Sequence, residues 1–225
     1  MNGMLSNVVI QINPTIYLKS PETSDLGRKI LASSIDLIEQ IGFEAFTFRK
    51  LSQAIQSPEA SMYRYFESKH KLLLYLTSWY WGWMEYKLLF GLANIESAEA
   101  RLKIAIGILT QSDESSGVFP HIDTGKLHRI VISDSSKTYL TKVVDRENED
   151  GVFSGYKQIV AHVSRIVQEI NPEYKYPHML ISDVIEGAHH QRFFAEHLPR
   201  LTDKYSDEDA VTNFYTDMVF KTIKR

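Results

Sequence analysis

The strongest constraint on this chain is the stretch Thr47 to Phe66, TFRKLSQAIQSPEASMYRYF, where two short apolar stripes meet at a proline. Phe48, Leu51 and Ile55 recur at helical spacing, and Thr47 ahead of them is suited to cap the helix they define. Pro58 suits the first turn of a second helix, where its missing N–H costs nothing, with Ser57 before it as the cap. In that second helix Met62 and Phe66 lie four apart and face inward. Glu59, Ala60, Tyr63 and Arg64 then fall on the opposite side. Two short helices on a small shared core, one of them presenting a face outward, form a helix-turn-helix. An ordinary hairpin inside an all-α protein satisfies the same spacing.

Composition bounds the rest. The chain has 225 residues and 44% hydrophobic content, enough for one or two cores. It has no cysteine, which excludes disulfides, thiolate metal sites and a cysteine nucleophile. No apolar run approaches the ~20 residues of a membrane span, and the N-terminal stretch lacks the basic and apolar regions of a secretory signal. A cytoplasmic location with no membrane partner is expected. The net charge of −3 argues against a general nucleic-acid coat. Residues 19–71, however, carry eight Lys/Arg against seven Asp/Glu, so this stretch is slightly positive and the remainder acidic.

Taken in order, residues 1–19 read as extended pieces or an arm around Asn13-Pro14. A first helix follows, with Ile30, Leu31, Ile35, Ile38 and Ile41 as its stripe and Gly42 as its stop. Ser68 caps a long helix in which Leu72, Leu76, Trp79, Trp83, Tyr86 and Phe90 make a one-sided stripe, leaving Trp81 more peripheral. Residues 98–111 read as a helix and 113–125 as a loop. Residues 126–144 read as a helix interrupted near 133–136, and 145–151 as a solvated charged turn. Helices are expected at 152–170 and 177–198. A capping box at Ser206 and Asp209 opens the last one, where Val211, Phe214, Met218 and Thr222 align. The expected architecture is all-α, with about nine or ten helices in two domains.

Glu186-x-x-His189 has the step by which a helix of a di-iron bundle offers two ligands, but the chain holds no second copy. No nucleophile elbow, phosphate loop or dinucleotide fingerprint is present. No catalytic residue, metal or cofactor is therefore expected.

Ile30-Leu31-Ala32, Ile41-Gly42-Phe43-Glu44-Ala45, Thr47-Phe48-Arg49-Lys50-Leu51, Ser61-Met62-Tyr63-Arg64-Tyr65-Phe66 and Ser68-Lys69-His70-Lys71-Leu72-Leu73 stand in this order. With these gaps, the run from Gly27 to Leu73 resembles the DNA-binding domain of the tetracycline-repressor (TetR) family of bacterial transcription regulators. It covers roughly a fifth of the chain. Two positions depart from the family pattern. Gln56 stands where a turn glycine is usual, and Ser57 where an apolar residue is usual. Glycine there serves a positive φ that glutamine adopts less easily, so a reshaped turn is expected.

The resemblance implies an arm over residues 1–22, a three-helix DNA-binding domain over 23–71 and a helical ligand-binding and dimerisation domain over 72–225, joined by the long helix. It implies a regulator, expected to be a repressor, that binds a near-palindromic operator in double-stranded DNA as a homodimer and is released by a small-molecule effector. The implied DNA-binding residues are Thr47, Arg49, Ser57, Glu59, Ala60, Ser61, Tyr63, Arg64 and Lys69. Of these, Glu59, Ala60 and Ser61 are nearest the bases, and Thr47, Tyr63, Arg64 and Lys69 hold phosphates. Trp79, Trp83, Tyr86 and His189 are the candidate lining of the effector pocket. Val184, Gly187, Ala188, Phe214 and Met218 are the candidates for the dimer interface. The alternative reading is a helical small-molecule-binding or interaction protein without DNA readout, or a metal-dependent helical-bundle enzyme.

Overall fold

The computed structural model describes residues 10–111, 119–204 and 208–224. Among these, ten α-helices follow one another and no strand is formed. They are α1 (Asp25–Ala45), α2 (Phe48–Ile55), α3 (Lys69–Leu92), α4 (Ala98–Thr110), α5 (Thr124–Asp134), α6 (Ser136–Tyr139), α7 (Val144–Glu149), α8 (Ser154–Ile170), α9 (Pro177–His197) and α10 (Ala210–Ile223). Short 3-10 helices lie at Pro14–Ile16, Pro21–Thr23, Glu59–Arg64 and Pro199–Leu201. No described helix is long and apolar enough to cross a membrane.

Contacts divide the chain into two compact units, Met1–Gly82 with Asp113–Ser154, and Trp83–Ser112 with Gly155–Arg225. α5, α6 and α7 belong to the unit of the N-terminal helices, and α3 contributes to both units.

In the first unit, Ser24 caps α1 by accepting the Gly27 N–H at 3.2 Å. Ile30, Leu31, Ile35 and Ile38 form its buried stripe. Gly42 takes φ 75° and ψ 155°, which breaks the helical geometry where the sequence placed a stop. α5 packs along α1. Their facing sides carry opposite charges, with Lys126 on Asp36 at 2.6 Å and Arg129 paired with Glu39. Lys137 follows, between Glu44 (2.9 Å) and Asp134 (2.7 Å). Burial opposes the charge on Lys137, but these two carboxylates outweigh it and hold the ammonium above its ordinary range.

The interruption expected near 133–136 is the junction of α5 and α6. The expected charged turn at 145–151 is largely a helix, α7, and Glu147 within it is buried. Its carboxylate accepts from Lys71 Nζ at 3.0 Å and lies 3.1 Å from His70 Nε2. A sequence pattern rich in charge reads as solvated, and a carboxylate buried against a lysine and a histidine defeats that reading.

α3 departs from the expected one-sided stripe. Leu72 to Leu76, Trp79, Tyr80, Trp81, Trp83, Met84 and Leu88 are all buried, so the helix is covered around most of its circumference. Trp81 is buried rather than peripheral, and Phe90, assigned to the stripe, is 72% exposed. The N-terminal segment lies on its own unit: the Leu18 N–H donates to the Tyr65 carbonyl at 2.8 Å, and Tyr17 meets Tyr75 edge to face. The earliest part of the expected arm, residues 1–9, lies outside the described residues. So do residues 113–118 of the loop expected at 113–125 and Ser206 of the expected capping box.

In the second unit, α4, α9 and α10 pack against one another. Asp209 caps α10 by accepting the Thr212 N–H at 3.1 Å. The buried side of α10 is Val211, Tyr215, Val219 and Ile223. This is one step round from the expected alignment of Val211 with Phe214, Met218 and Thr222.

Candidate nucleic-acid interface

Thr47 caps α2 through its hydroxyl oxygen, which accepts the Lys50 N–H at 3.2 Å and leaves its own O–H free to donate outward. Phe48, Leu51 and Ile55 are buried as the spacing predicts. At the turn, Gln56 takes φ 54° and ψ 49°, the left-handed conformation. The Gln56 N–H bonds to the Gln53 carbonyl and the Ser57 N–H to the Ser52 carbonyl, the paired closure of a Schellman motif. The turn therefore keeps the backbone a glycine would give it. It does so with glutamine, at a cost of about 1–2 kcal/mol.

The expected second α-helix is a 3-10 helix, Glu59–Arg64. Pro58 sits before its first residue rather than inside its first turn, and no side-chain cap bond forms there. Ser57 is thus not a cap. The element is anchored as expected, with Met62 and Phe66 fully buried. Its outward side carries Glu59, Ala60, Tyr63 and Arg64. Tyr63 is 48% exposed and rests edge to face on Phe48, ring centroids 5.1 Å apart. Ser61 is buried, which removes it from the residues able to reach a base edge.

The cations sort into two groups, a distinction invisible in the sequence. Lys29 donates to the Ile55 carbonyl at 3.0 Å, at the end of α2. Lys50 donates to the Ala45 carbonyl at 2.8 Å. Lys69 donates to the carbonyls of Phe43, Glu44 and Phe46 at 3.1, 3.1 and 3.2 Å, and its ammonium lies 4.7 Å from the centre of the Phe43 ring. Each lysine thus donates to carbonyls at a helix end, where the helix dipole favours positive charge. All three N–H donors of Lys69 are used, so the phosphate contact expected of it would break this cap. Arg49 and Arg64 are both exposed, and among the described residues neither guanidinium group has a hydrogen-bond or ion-pair partner. They are the cations of the turn left to meet an anion.

The other candidate residues are dispersed. Trp79 belongs to the first unit and meets Phe119 edge to face at 4.8 Å. Trp83, Tyr86 and His189 belong to the second. There Trp83 stacks on Tyr86 at 5.5 Å and Tyr86 on Phe90 at 6.3 Å, a ladder along α3. An open groove of about 710 Å³ runs between α4 and α10 past Ile104, Ile108, Thr216 and Phe220, and none of the four candidates lines it. Val184 and Ala188 are fully buried within the single chain, and a side chain at Gly187 would run into Tyr215 of α10. Those three serve packing inside the chain. Phe214 is 57% exposed and Met218 half-buried, so these two remain available to a second copy. Glu186 accepts from the Tyr156 hydroxyl at 2.9 Å. Among the described residues no cluster of His, Asp and Glu is placed to hold a metal.

A short capped helix, a tight left-handed turn and a second short element with an unbonded polar face define a helix-turn-helix protein. Residues 30–76 match the model of the bacterial regulatory proteins of the tetR family. No curated protein sequence matches it. Its fold is similar to that of the fatty acid degradation regulator FadR from Bacillus halodurans, at TM-score 0.58 and 16% identity over 87% of this chain and 96% of that one. It is also similar to AibR in complex with isovaleryl coenzyme A and operator DNA, at TM-score 0.56 and 15% identity over 86% and 97%. A third likeness is to the superantigen PfiT, at TM-score 0.57 and 14% identity over 86% and 93%. At these identities the likeness carries the fold and no more.

Proposed function

We propose that this protein is a homodimeric repressor that holds a near-palindromic operator and leaves it when a small molecule binds. The observation that carries this reading is the division among the cations. Three lysines are spent on closing helices, whereas the exposed side chains of Arg49 and Arg64 have no bonded partner among the described residues, on a motif that also carries the exposed Tyr63 and Ala60 and the half-buried Glu59. In this assignment Arg49, Arg64, Tyr63 and the hydroxyls of Thr47 and Ser57 grip phosphates and set register. Glu59 accepts from a cytosine amino group, and Ala60 meets a thymine methyl. AibR, of the same fold, has been seen with both operator DNA and an acyl coenzyme A, which supports a ligand-released regulator here.

Two copies pair through α9 and α10, with Phe214 and Met218 at the seam, so that two turns face successive grooves. The ligand favours a dimer geometry whose turns no longer match the groove spacing, and α3 carries that change. A preference of ~1–3 kcal/mol suffices to empty the operator several-fold. Selection of genomic fragments with purified protein tests the reading, and it expects one enriched sequence with two inverted half-sites. Arg64→Ala should then weaken binding to every sequence alike and lower the salt slope by about 1. Enrichment of nothing, or a clean monomer in sedimentation at micromolar concentration, would sink it.

A further inference from the structure

α8 carries His162, Arg165, Ile166 and Glu169 at steps of three, four and seven, which puts all four on one helix face. Arg101 joins them from the first turn of α4, and the five side chains line a cavity of about 170 Å³. At bulk volume that is room for on the order of five water molecules, enough for a tetrahedral oxyanion. The lining is unbalanced in charge, with two guanidinium groups and an imidazole around one carboxylate. Arg101 bonds Glu169 through its terminal nitrogens at 2.5 and 3.5 Å, and its Nε is buried with no hydrogen-bond partner. Arg165 uses only its Nε, on the Ala161 carbonyl of its own helix at 3.4 Å. A buried N–H without an acceptor is costly, and planar guanidinium forks match phosphate oxygens in geometry as well as charge.

We propose that this cavity binds a phosphoryl group, free or at the end of a larger molecule, with Arg101 and Arg165 as its standing donors and His162 as a further donor once protonated. The surroundings of His162 fit that role. Burial first, then the nearby Arg165, holds the imidazole below its ordinary range, and Arg101 adds to this while Glu85 of α3 and Glu169 oppose it. An anion in the cavity reverses the repulsion from the two arginines. For an anion whose own charge stays fixed, binding is therefore accompanied by proton uptake at His162 and tightens as the pH falls. The site does not depend on the DNA-binding reading.

The test is imidazole NMR of the full-length protein, with the His162 signal assigned by its loss in His162→Gln. Inorganic phosphate, glycerol 3-phosphate and sulfate are titrated at matched ionic strength. A saturable shift of His162 with phosphate is expected, weakened roughly tenfold or more in Arg165→Gln by loss of a charge-assisted contact. Arg165 is exposed and bonds only its own helix, so this variant should fold. Sulfate keeps its charge between about pH 5.5 and 7.5, so it should bind tighter at the lower value as the imidazole protonates, and lose that dependence in His162→Gln. Glycerol 3-phosphate binding as well as phosphate places the site at the end of a larger ligand, and binding of phosphate alone makes it a free-anion site. A shift that never saturates, or equal affinity in Arg165→Gln, overturns the proposal.

Discussion

Replacing Gly187 by alanine would place a Cβ 2.2 Å from the Tyr215 Oη, 3.0 Å from its Cζ and 3.4 Å from its Cε1. The ring cannot swing aside cheaply, because Tyr215 is only 6% exposed and meets Phe214 edge to face at 5.0 Å. Overpacking a core costs typically ~1–3 kcal/mol, and a contact this close belongs at the upper end. Alanine returns about 1 kcal/mol through its better helix propensity. The net expectation is therefore a loss of about 2 kcal/mol. Tyr215→Phe removes the nearest atom. Alone it should change stability by less than about 0.5 kcal/mol, and combined with Gly187→Ala it should recover about 1 kcal/mol or more. Urea unfolding of the full-length protein, followed by circular dichroism, measures all four corners of this cycle. A Gly187→Ala protein as stable as the parent, or a double variant no better than the single one, would refute the packing argument. Sedimentation of the same samples adds a second discriminator. If Gly187→Ala weakened association while leaving the unfolding midpoint alone, the glycine would be facing a second copy, as its sequence context suggested.

Lys69→Met removes three bonds from a charged donor at the end of α1, and urea unfolding should register a loss of about 2 kcal/mol. Gln56→Gly relieves the left-handed strain at the turn and should raise the unfolding midpoint by the equivalent of roughly 0.5–1 kcal/mol, part of the relief being offset by the looser unfolded chain. A decrease would mean that the glutamine side chain holds the turn. Asp209 lies below the ordinary carboxylate range: burial pushes the other way, but the Arg192 guanidinium at 2.6 and 2.7 Å and the Thr212 donors outweigh it. A carboxylate depressed in the folded state stabilises fully above its unfolded value of about 4 and loses that contribution as the pH falls further. The stability gap between the parent and Asp209→Asn, followed by urea unfolding from neutral pH downward, should therefore close below about pH 4.

The readable parts of the fold were those set by local rules. Thr47 as a cap, the buried trio Phe48, Leu51 and Ile55, and Met62 with Phe66 behind the second element all follow from spacing and capping chemistry. Where partners come from far along the chain, spacing misleads. Glu147 looks solvated among its charged neighbours until Lys71, 76 positions earlier, meets it. Gly187 and Ala188 look like a contact for a second copy until Tyr215 is seen to fill that space. The polar side of the turn was legible in the sequence, and the bonding of the cations around it was not. Lys69 and Arg64 carry the same formal charge in a sequence, and only the carbonyls around Lys69 separate them. The helix-end roles of Lys29 and Lys50 leave no signature in the sequence, because each lysine belongs to a different element from the helix it closes.

The lysine caps carry a chemical consequence. Reagents that acylate ammonium groups would spare the two arginines facing outward, whose guanidinium groups do not deprotonate in proteins. The same reagents would strip the carbonyls at the ends of α1 and α2 of their donors. Lysine modification of this domain would thus show up as a lower melting temperature while the two outward arginines kept their charge.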